Sequence, residues 1–425
     1  MKQKRTDTNS DDTTQGSNRN RRRGDPSRVQ PKEYGMAPNR HLCLNLLLII
    51  FTTSSFACGQ SPHESPQRIY RYCYSVQSKE WYKKQEILWK NEIGINPQNE
   101  DAWYNYFFAA RYGWANVEGQ TETREALLDS IYSEMGKAIP DSWVYHYIHY
   151  YNYGTDFSRL EKAYGIHPGE PDLYWEFMKE YEMTGNKEKK KEFCTKLYRS
   201  KAISPGILNF NYNMLISAQE NAILIVNGDN DTYPAWILQV VKEVREDILI
   251  LNIHAIFGNR SYLQSKLREK GIEFHVSDLS DVQIPSFLER FIRGIHQKYP
   301  HIPIHLARTL HQGYYANFRD DLSLTGLVYT FRVDPSDKDA LHQDIVENKL
   351  RLDYLDHDWY SDVHVSEPLV KQLNLHYVEP FVKLADYLNS QGNIASARKW
   401  SLKALILAQR ADDQSLIQKI QSRFK

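Results

Sequence analysis

Cysteine, unbalanced charge and long apolar runs are what this sequence has least of. Four cysteines (Cys43, Cys58, Cys73 and Cys194) in 425 residues cannot build a disulfide framework, and their spacing matches no metal site. Lys plus Arg and Asp plus Glu number 53 each, so no basic excess marks a nucleic-acid binder. The apolar stretch from Leu42 to Phe51 is about half as long as a permanent membrane-spanning helix requires. No serine nucleophile elbow, Walker loop or HExxH motif occurs. Tyrosine is the residue present in excess, with 29 copies.

Residues 1–35 are Asp, Asn, Ser, Thr and Arg with almost nothing apolar, and cannot bury a core. From Met36 the layout changes to Arg40, the apolar stretch, and small residues before Cys58, which is the layout of a signal peptide over residues 36–57. Two readings of the start stay open: translation from Met36, or a signal anchor holding Arg21 to Arg23 on the cytoplasmic side. Ser55-Phe56-Ala57 suits signal peptidase, while Phe56-Ala57-Cys58-Gly59 resembles a relaxed bacterial lipobox with Ser55 where Leu is usual. Both place a cut before Cys58, and the second puts a diacylglycerol anchor on it. The expectation is an exported protein, periplasmic or an outer-membrane lipoprotein.

Residues 58–215 carry helical periodicity with a repeat. Pro97 stands six residues before Trp103 and Pro168 six before Tyr174; Gly154 stands eleven after Trp143 and Gly185 eleven after Tyr174. These are the separations of a 34-residue helix-turn-helix unit of the tetratricopeptide type, in which the Gly ends the first helix in a left-handed conformation. The repeat is degenerate: Lys190 occupies a position usually small, and the unit from Trp143 is several residues short. Trp81, Trp89, Trp103, Tyr106, Trp143, Tyr147, Tyr150, Tyr174, Trp175 and Phe177 are expected to pack between helices, an aromatic ligand cage being the sharper alternative. The run Lys187 to Lys191 reads as a solvated helix face.

Residues 216–360 alternate strand and helix patterns. Apolar runs at Ala222 to Val226, Ile248 to Ile253, Gly271 to Val276, Ile302 to Ala307 and Gly326 to Arg332 read as strands, with helices between them, the first carrying Trp236, Ile237, Val240, Val241 and Val244 on one stripe. The prediction is a mainly parallel, Rossmann-like α/β domain. Its first strand ends in a polar corner, Asn227-Gly228-Asp229-Asn230-Asp231-Thr232, where open α/β sheets place their ligands. Asp229, Asn230 and Asp231 offer closely spaced oxygens suited to Mg²⁺ or Ca²⁺, and the helix N-terminus beyond them suits a sugar phosphate. His254 and His305, with Thr309, are candidates to face the same crevice. The opposing reading needs no ligand: Asp and Asn form turns, Asp231 or Thr232 caps the helix, and Pro234 sits in its first turn. On that reading both histidines are ordinary half-buried residues.

This stretch resembles the soluble C-terminal α/β region of multi-pass membrane proteins of Bacteroidetes related to protein O-mannosyltransferases. The likeness rests on Asn227 to Pro234 (NGDNDT-[FY]-P), Trp236, Gln239, Arg245, Asp247 and Asn252, then Pro303, Thr309 and Gly326 to Tyr329, over about residues 205–350. It implies a shared soluble module. It does not imply transferase activity, because helical repeats stand where the transmembrane half would be.

Residues 361–425 return to the helical repeat, with Phe381, Leu384, Ala385, Gly392, Ala397 and Ala404 at tetratricopeptide spacings, either capping the array or packing back on the α/β domain. Between them, Asp356, His357, Asp358 and His364 form a second possible metal cluster in a connector. The whole reads as tetratricopeptide-like hairpins flanking an α/β domain, and as a non-catalytic scaffold of the bacterial envelope holding a protein or peptide partner. The alternative is a divalent-metal-dependent sugar or nucleotide-sugar module acting through Asp229 and Asp231.

Overall fold

The structure, a computed structural model, describes residues 64–115, 121–154, 156–276, 279, 283–356 and 365–423. The leader at 36–57, Cys58, and His357, Asp358 and His364 of the connector lie outside the described residues. The molecule is mostly helical with one small mixed sheet. No helix among the described residues is long and apolar enough to cross a membrane.

Helical hairpins come first: α1 (Lys79–Ile95) with α2 (Glu100–Gly113), α3 (Thr121–Ala138), α4 (Trp143–Tyr153) with α5 (Phe157–Ile166), α6 (Pro171–Thr184) with α7 (Lys187–Ser200), and α8 (Pro205–Ser217). Local chemistry sets their limits. Ser78, Asn99, Ser142, Asp156, Asn186 and Ser204 each accept a hydrogen bond from an orphan N–H of the first turn. Gly154 and Gly185 end α4 and α6 at φ of +55° and +74°, a conformation that costs other residues energy. The proline-to-aromatic spacing also has a physical cause: Trp103 Nε1 donates to the Pro97 carbonyl at 2.9 Å, and the Tyr174 hydroxyl to that of Pro168 at 2.7 Å. Each bond fixes the start of the helix that follows the proline. Of the predicted packing aromatics, Trp81 and Trp89 are half-buried and the other eight buried. In the lysine run Lys190 is the exception, paired with buried Glu182 at 2.6 Å and lying over the Trp236 ring.

The sheet follows: β1 (Ile223–Val226), α9 (Asp229–Lys242), β2 (Leu249–Asn252), α10 (Ile253–Gly258), α11 (Arg260–Glu269), α12 (Ile284–Lys298), β3 (Ile304–Ala307), β4 (Leu322–Thr325) and β5 (Val328–Phe331). Strand order is β2-β1-β3-β5-β4; β1 pairs parallel with β2 and β3, while β5 pairs antiparallel with β3 and β4. The expectation of a mainly parallel sheet is therefore corrected to a mixed one. Two details account for it. Gly271 to Val276 forms no strand, because Gly271 (φ +72°) and Ile272 give their N–H groups to the end of α11. Leu322 to Thr325, unread as a strand, turns tightly through Gly326 into β5 and adds the edge. Leu224, Val226 and Ile250 face a core shared with α9 and the helical hairpins, and Ile223, Ile225, Leu251 and Leu306 face α12 on the other side.

The chain ends in α13 (Lys338–Asp344), α14 (Glu367–Asn374), α15 (Val378–Ser390), α16 (Ile394–Arg410) and α17 (Gln414–Arg423). These pack back: Tyr377, Phe381, Leu384 and Ala404 belong to the same core as the first hairpins. Asn213 of α8 anchors the return, donating to the Arg351 carbonyl and accepting from its N–H, at 2.7 and 2.8 Å.

Gly326 is the tightest point of this joint. It sits at φ +60°, and a Cβ there would overlap Ser217 Oγ and Ile345 Cγ2. Gly326→Ala should lower stability by about 2–4 kcal/mol, combining left-handed strain with overpacking. Urea unfolding should show a lower midpoint with an unchanged slope.

Candidate functional site

The polar corner between β1 and α9 is built by its own hydrogen bonds. The helix starts earlier than the sequence suggested, at Asp229, with Gly228 as the capping residue. Asp231 is thus the third helical residue, and its carboxylate reaches back to accept from the N–H groups of Gly228 and Asn227 at 2.8 and 2.9 Å. Thr309, after β3, donates a further bond to Asp231 Oδ2. Thr232 turns inward, donating to the Gly228 carbonyl at 2.6 Å and accepting from Asn252 Nδ2 at 2.9 Å, which ties in the end of β2. Pro234 falls beyond the first turn, so it leaves the Asn230 carbonyl without its helical donor. Asn211 Nδ2 of α8 replaces that donor at 2.9 Å.

The other marker residues are structural as well. Arg245 donates to the carbonyls of Leu215, Ala218 and Gln219 and pairs with Asp247, whose carboxyl is held down to about 2 by that bond. Gln239 closes the same turn through the carbonyls of Arg245 and Ile248.

A cleft of about 210 Å³ opens at the carboxyl ends of β1 and β3. The connections leaving β1 and entering β3 cover opposite faces of the sheet, and adjacent strands of that kind leave a crevice at their ends. One wall is the corner, Asn227 to Asp231, with Thr309; the other is Leu369, Gln372 and Leu373 of α14, with His376 after it. Asp229 is half-buried, and its carboxylate accepts no hydrogen bond from a described residue. Burial pushes its carboxyl up to about 6; Lys179 and Arg71 pull against that, and Glu176 and Asp231 add to it. Burial, and then Arg308, hold His376 down to about 3, so its imidazole is neutral. Burial raises Asp231 too, against the pull of its donors.

The structure therefore gathers Asn227, Asp229, Asn230, Asp231 and Thr309, and leaves Thr232, His254 and His305 elsewhere. His305 is fully buried, accepting from Gln219 N–H at 3.0 Å and bonded to Thr330 Oγ1 at 2.9 Å. His254 lies against Tyr314, its buried Nδ1 without a partner among the described residues, outside the cleft lining. No group of three or more His, Cys, Asp or Glu side chains among the described residues is arranged to hold a metal. Asp356 pairs with Lys403 at 2.7 Å. Leu369, Gln372, Leu373 and His376 were not singled out from sequence. They lie about 140 residues downstream of the corner in a segment whose pattern signals only packing.

Against known proteins, a family model described as TMEM260-associated domain 2 matches residues 207–270, from α8 through the corner to α11. That domain relates to protein O-mannosyltransferase-like proteins. No curated protein matches the chain. The likeness to the TMEM260-associated domain thus covers the corner and its supports other than Thr309, and not the wall supplied by α14.

Proposed function

We propose that the chain is a non-catalytic recognition protein of the bacterial envelope, and that its cleft holds one small, neutral, hydroxyl-rich ring, a single sugar residue. The observation that carries this is the division of labour in the corner. Asp231 and Thr232 are consumed by the fold, while the side chains of Asn227, Asp229, Asn230, Gln372 and His376 line the cleft or its rim with no hydrogen bond from a described residue. A carboxylate, amides and a neutral imidazole beside Leu369 and Leu373 offer donors and acceptors for hydroxyls and an apolar wall for a ring face. The volume lies below the roughly 300–1,000 Å³ of sites for drug-sized ligands, which favours one ring over a nucleotide-sugar. Asp231 already accepts three hydrogen bonds, so it is a poor general base and a poor metal ligand.

The wider placement rests on sequence. The NGDNDT-[FY]-P corner and the matched domain support kinship with the soluble region of Bacteroidetes proteins related to O-mannosyltransferases. The proline and glycine spacings, with the two aromatic-to-proline hydrogen bonds, support placing the hairpins with tetratricopeptide repeats, which hold protein or peptide partners. The leader and Cys58 support an exported, lipid-anchored chain.

Two measurements test the cleft. In thermal-shift titrations of the chain from Cys58 onward, neutral monosaccharides should raise Tm, and Asp229→Asn should remove the effect. Mg²⁺, Ca²⁺ or Mn²⁺ alone should give no shift; a cation shift lost in Asp229→Asn would move the reading to a metal site. The same variant tests the electrostatics. Because the Asp229 carboxyl sits at about 6 in the fold against an ordinary 3.8, the unfolded chain gives up this proton more readily, and ionisation opposes folding as pH rises between those values. Without ligand, Asp229→Asn should therefore be the more stable protein at pH 7.5, by up to about 3 kcal/mol, with the gain gone below about pH 4.

A further inference from the structure

Phe108 of α2 with Tyr147 and Tyr151 of α4 form an aromatic cage that shares only Tyr147 with the aromatics expected from sequence, and the chain fills it itself. Residues 64–78 run without helix or strand before α1, and they lie across α2, α4 and α6. Ile69 is fully buried and gives its N–H to Asn105 Oδ1 of α2 at 2.6 Å. Asn105 is oriented for this by its own bond to the Asp101 carbonyl. Gln67 is held at both backbone groups by α1, its N–H by Gln85 and its carbonyl by the Trp89 indole. Arg71 then enters a pocket of rings, 4.6 Å from Phe108, 3.9 Å from Tyr151 and 5.3 Å from Tyr147, with its side chain 1% exposed. At the bottom Glu176 of α6, fully buried, accepts from Arg71 at 3.1 Å and from Tyr72 at 2.7 Å.

This is how a helical array grips an extended peptide. Helices have no free backbone edge, so side-chain amides must satisfy the backbone of the guest, while pockets read its side chains. A segment serving only to close a core would bury apolar groups. Burying an ion pair is seldom the most stabilising choice, and here Arg71 Nε and Nη1 have no acceptor among the described residues. The fit is therefore specific in excess of what packing requires.

We propose that residues 66–74 are an intramolecular ligand occupying the recognition groove across α2, α4 and α6, and that the groove accepts in exchange an extended peptide with an arginine two residues after an aliphatic and followed by an aromatic residue. This rests on reading the hairpins as a recognition array; it is independent of the cleft.

The test uses the full chain with a site for a specific protease placed after Val76, which is 63% exposed. After cleavage, a fluorescent synthetic peptide of residues 64–76 is followed by polarisation under reducing conditions. The expected result is exchange at a rate faster than global unfolding, with the Arg71→Ala peptide binding at least about tenfold more weakly and Arg71→Lys falling between, and with that discrimination lost in a Glu176→Gln chain. Exchange only at the unfolding rate, or loss of the cooperative thermal transition on cleavage, would make the strap a core element and overturn the proposal. Rapid exchange with no preference for arginine would also overturn it, and would count against peptide recognition by the hairpins as a whole.

Discussion

A carboxylate buried among aromatic rings has to be fully paired, and Glu176 sets the arrangement of the helical half around that requirement. It lies in the middle of α6 with no solvent exposure, and Lys179, Arg71, Tyr72 and Tyr147 all converge on it. Those partners hold its carboxyl near 2, against the upward push of burial. They come from three places: Arg71 and Tyr72 from the strap, Tyr147 from α4 and Lys179 from α6 itself. Satisfying one charge thus fixes where the strap runs and how α4 meets α6. Losing one partner of such a pair costs about 3–5 kcal/mol, more than most single contacts. Glu182, two turns on, repeats the device in the other direction, pairing with Lys190 of α7 and Lys266 of α11 and accepting from Tyr262. One helix therefore joins the hairpins to the strap on one side and to the α/β layer on the other.

The field of the same cluster reaches the cleft. Asp229 feels Lys179, Glu176 and Arg71 as well as its neighbour Asp231, with burial the largest influence. The cations near it are already engaged by Glu176, so little net positive charge is left to stabilise an anionic ligand there. On the proposed reading, this favours a neutral ring over a phosphate. It also explains why a carboxylate at a helix N-terminus, normally favoured by the helix dipole, ends up raised: loss of water outweighs the dipole.

What could be read from the residues follows from how local the causes are. The hairpins are legible because Gly154 and Gly185 are needed for a left-handed stop, and because Trp103 and Tyr174 must reach a carbonyl six residues back. β1, α9 and β2 are legible because their apolar patterns are short and unbroken. β4 was not, since Leu322 to Thr325 becomes a strand only by pairing with β5. Residue type alone suggests His305 for the corner; its partners, Gln219 and Thr330, are set by the tertiary fold. Arg71 carried no signal either, because a cage assembled from α2, α4 and the strap has no sequence spacing.

The corner illustrates a more general division. Asp231, Thr232, Gln239, Arg245, Asp247 and Asn252 make it recognisable in sequence, and all six are spent on holding β1, α9, β2 and the end of α8 together. The groups free to meet a ligand are the remaining motif residues Asn227, Asp229 and Asn230, with Gln372 of α14 and His376 after it, both outside the matched domain. Most of the bonds that hold the corner lie within the matched domain, Thr309 being the exception. The far wall is a separate element, and its side chains set the size and polarity of the space. On the proposed reading, the corner supplies the hydrogen bonds that any hydroxyl-rich ligand needs, and α14 decides which ring fits.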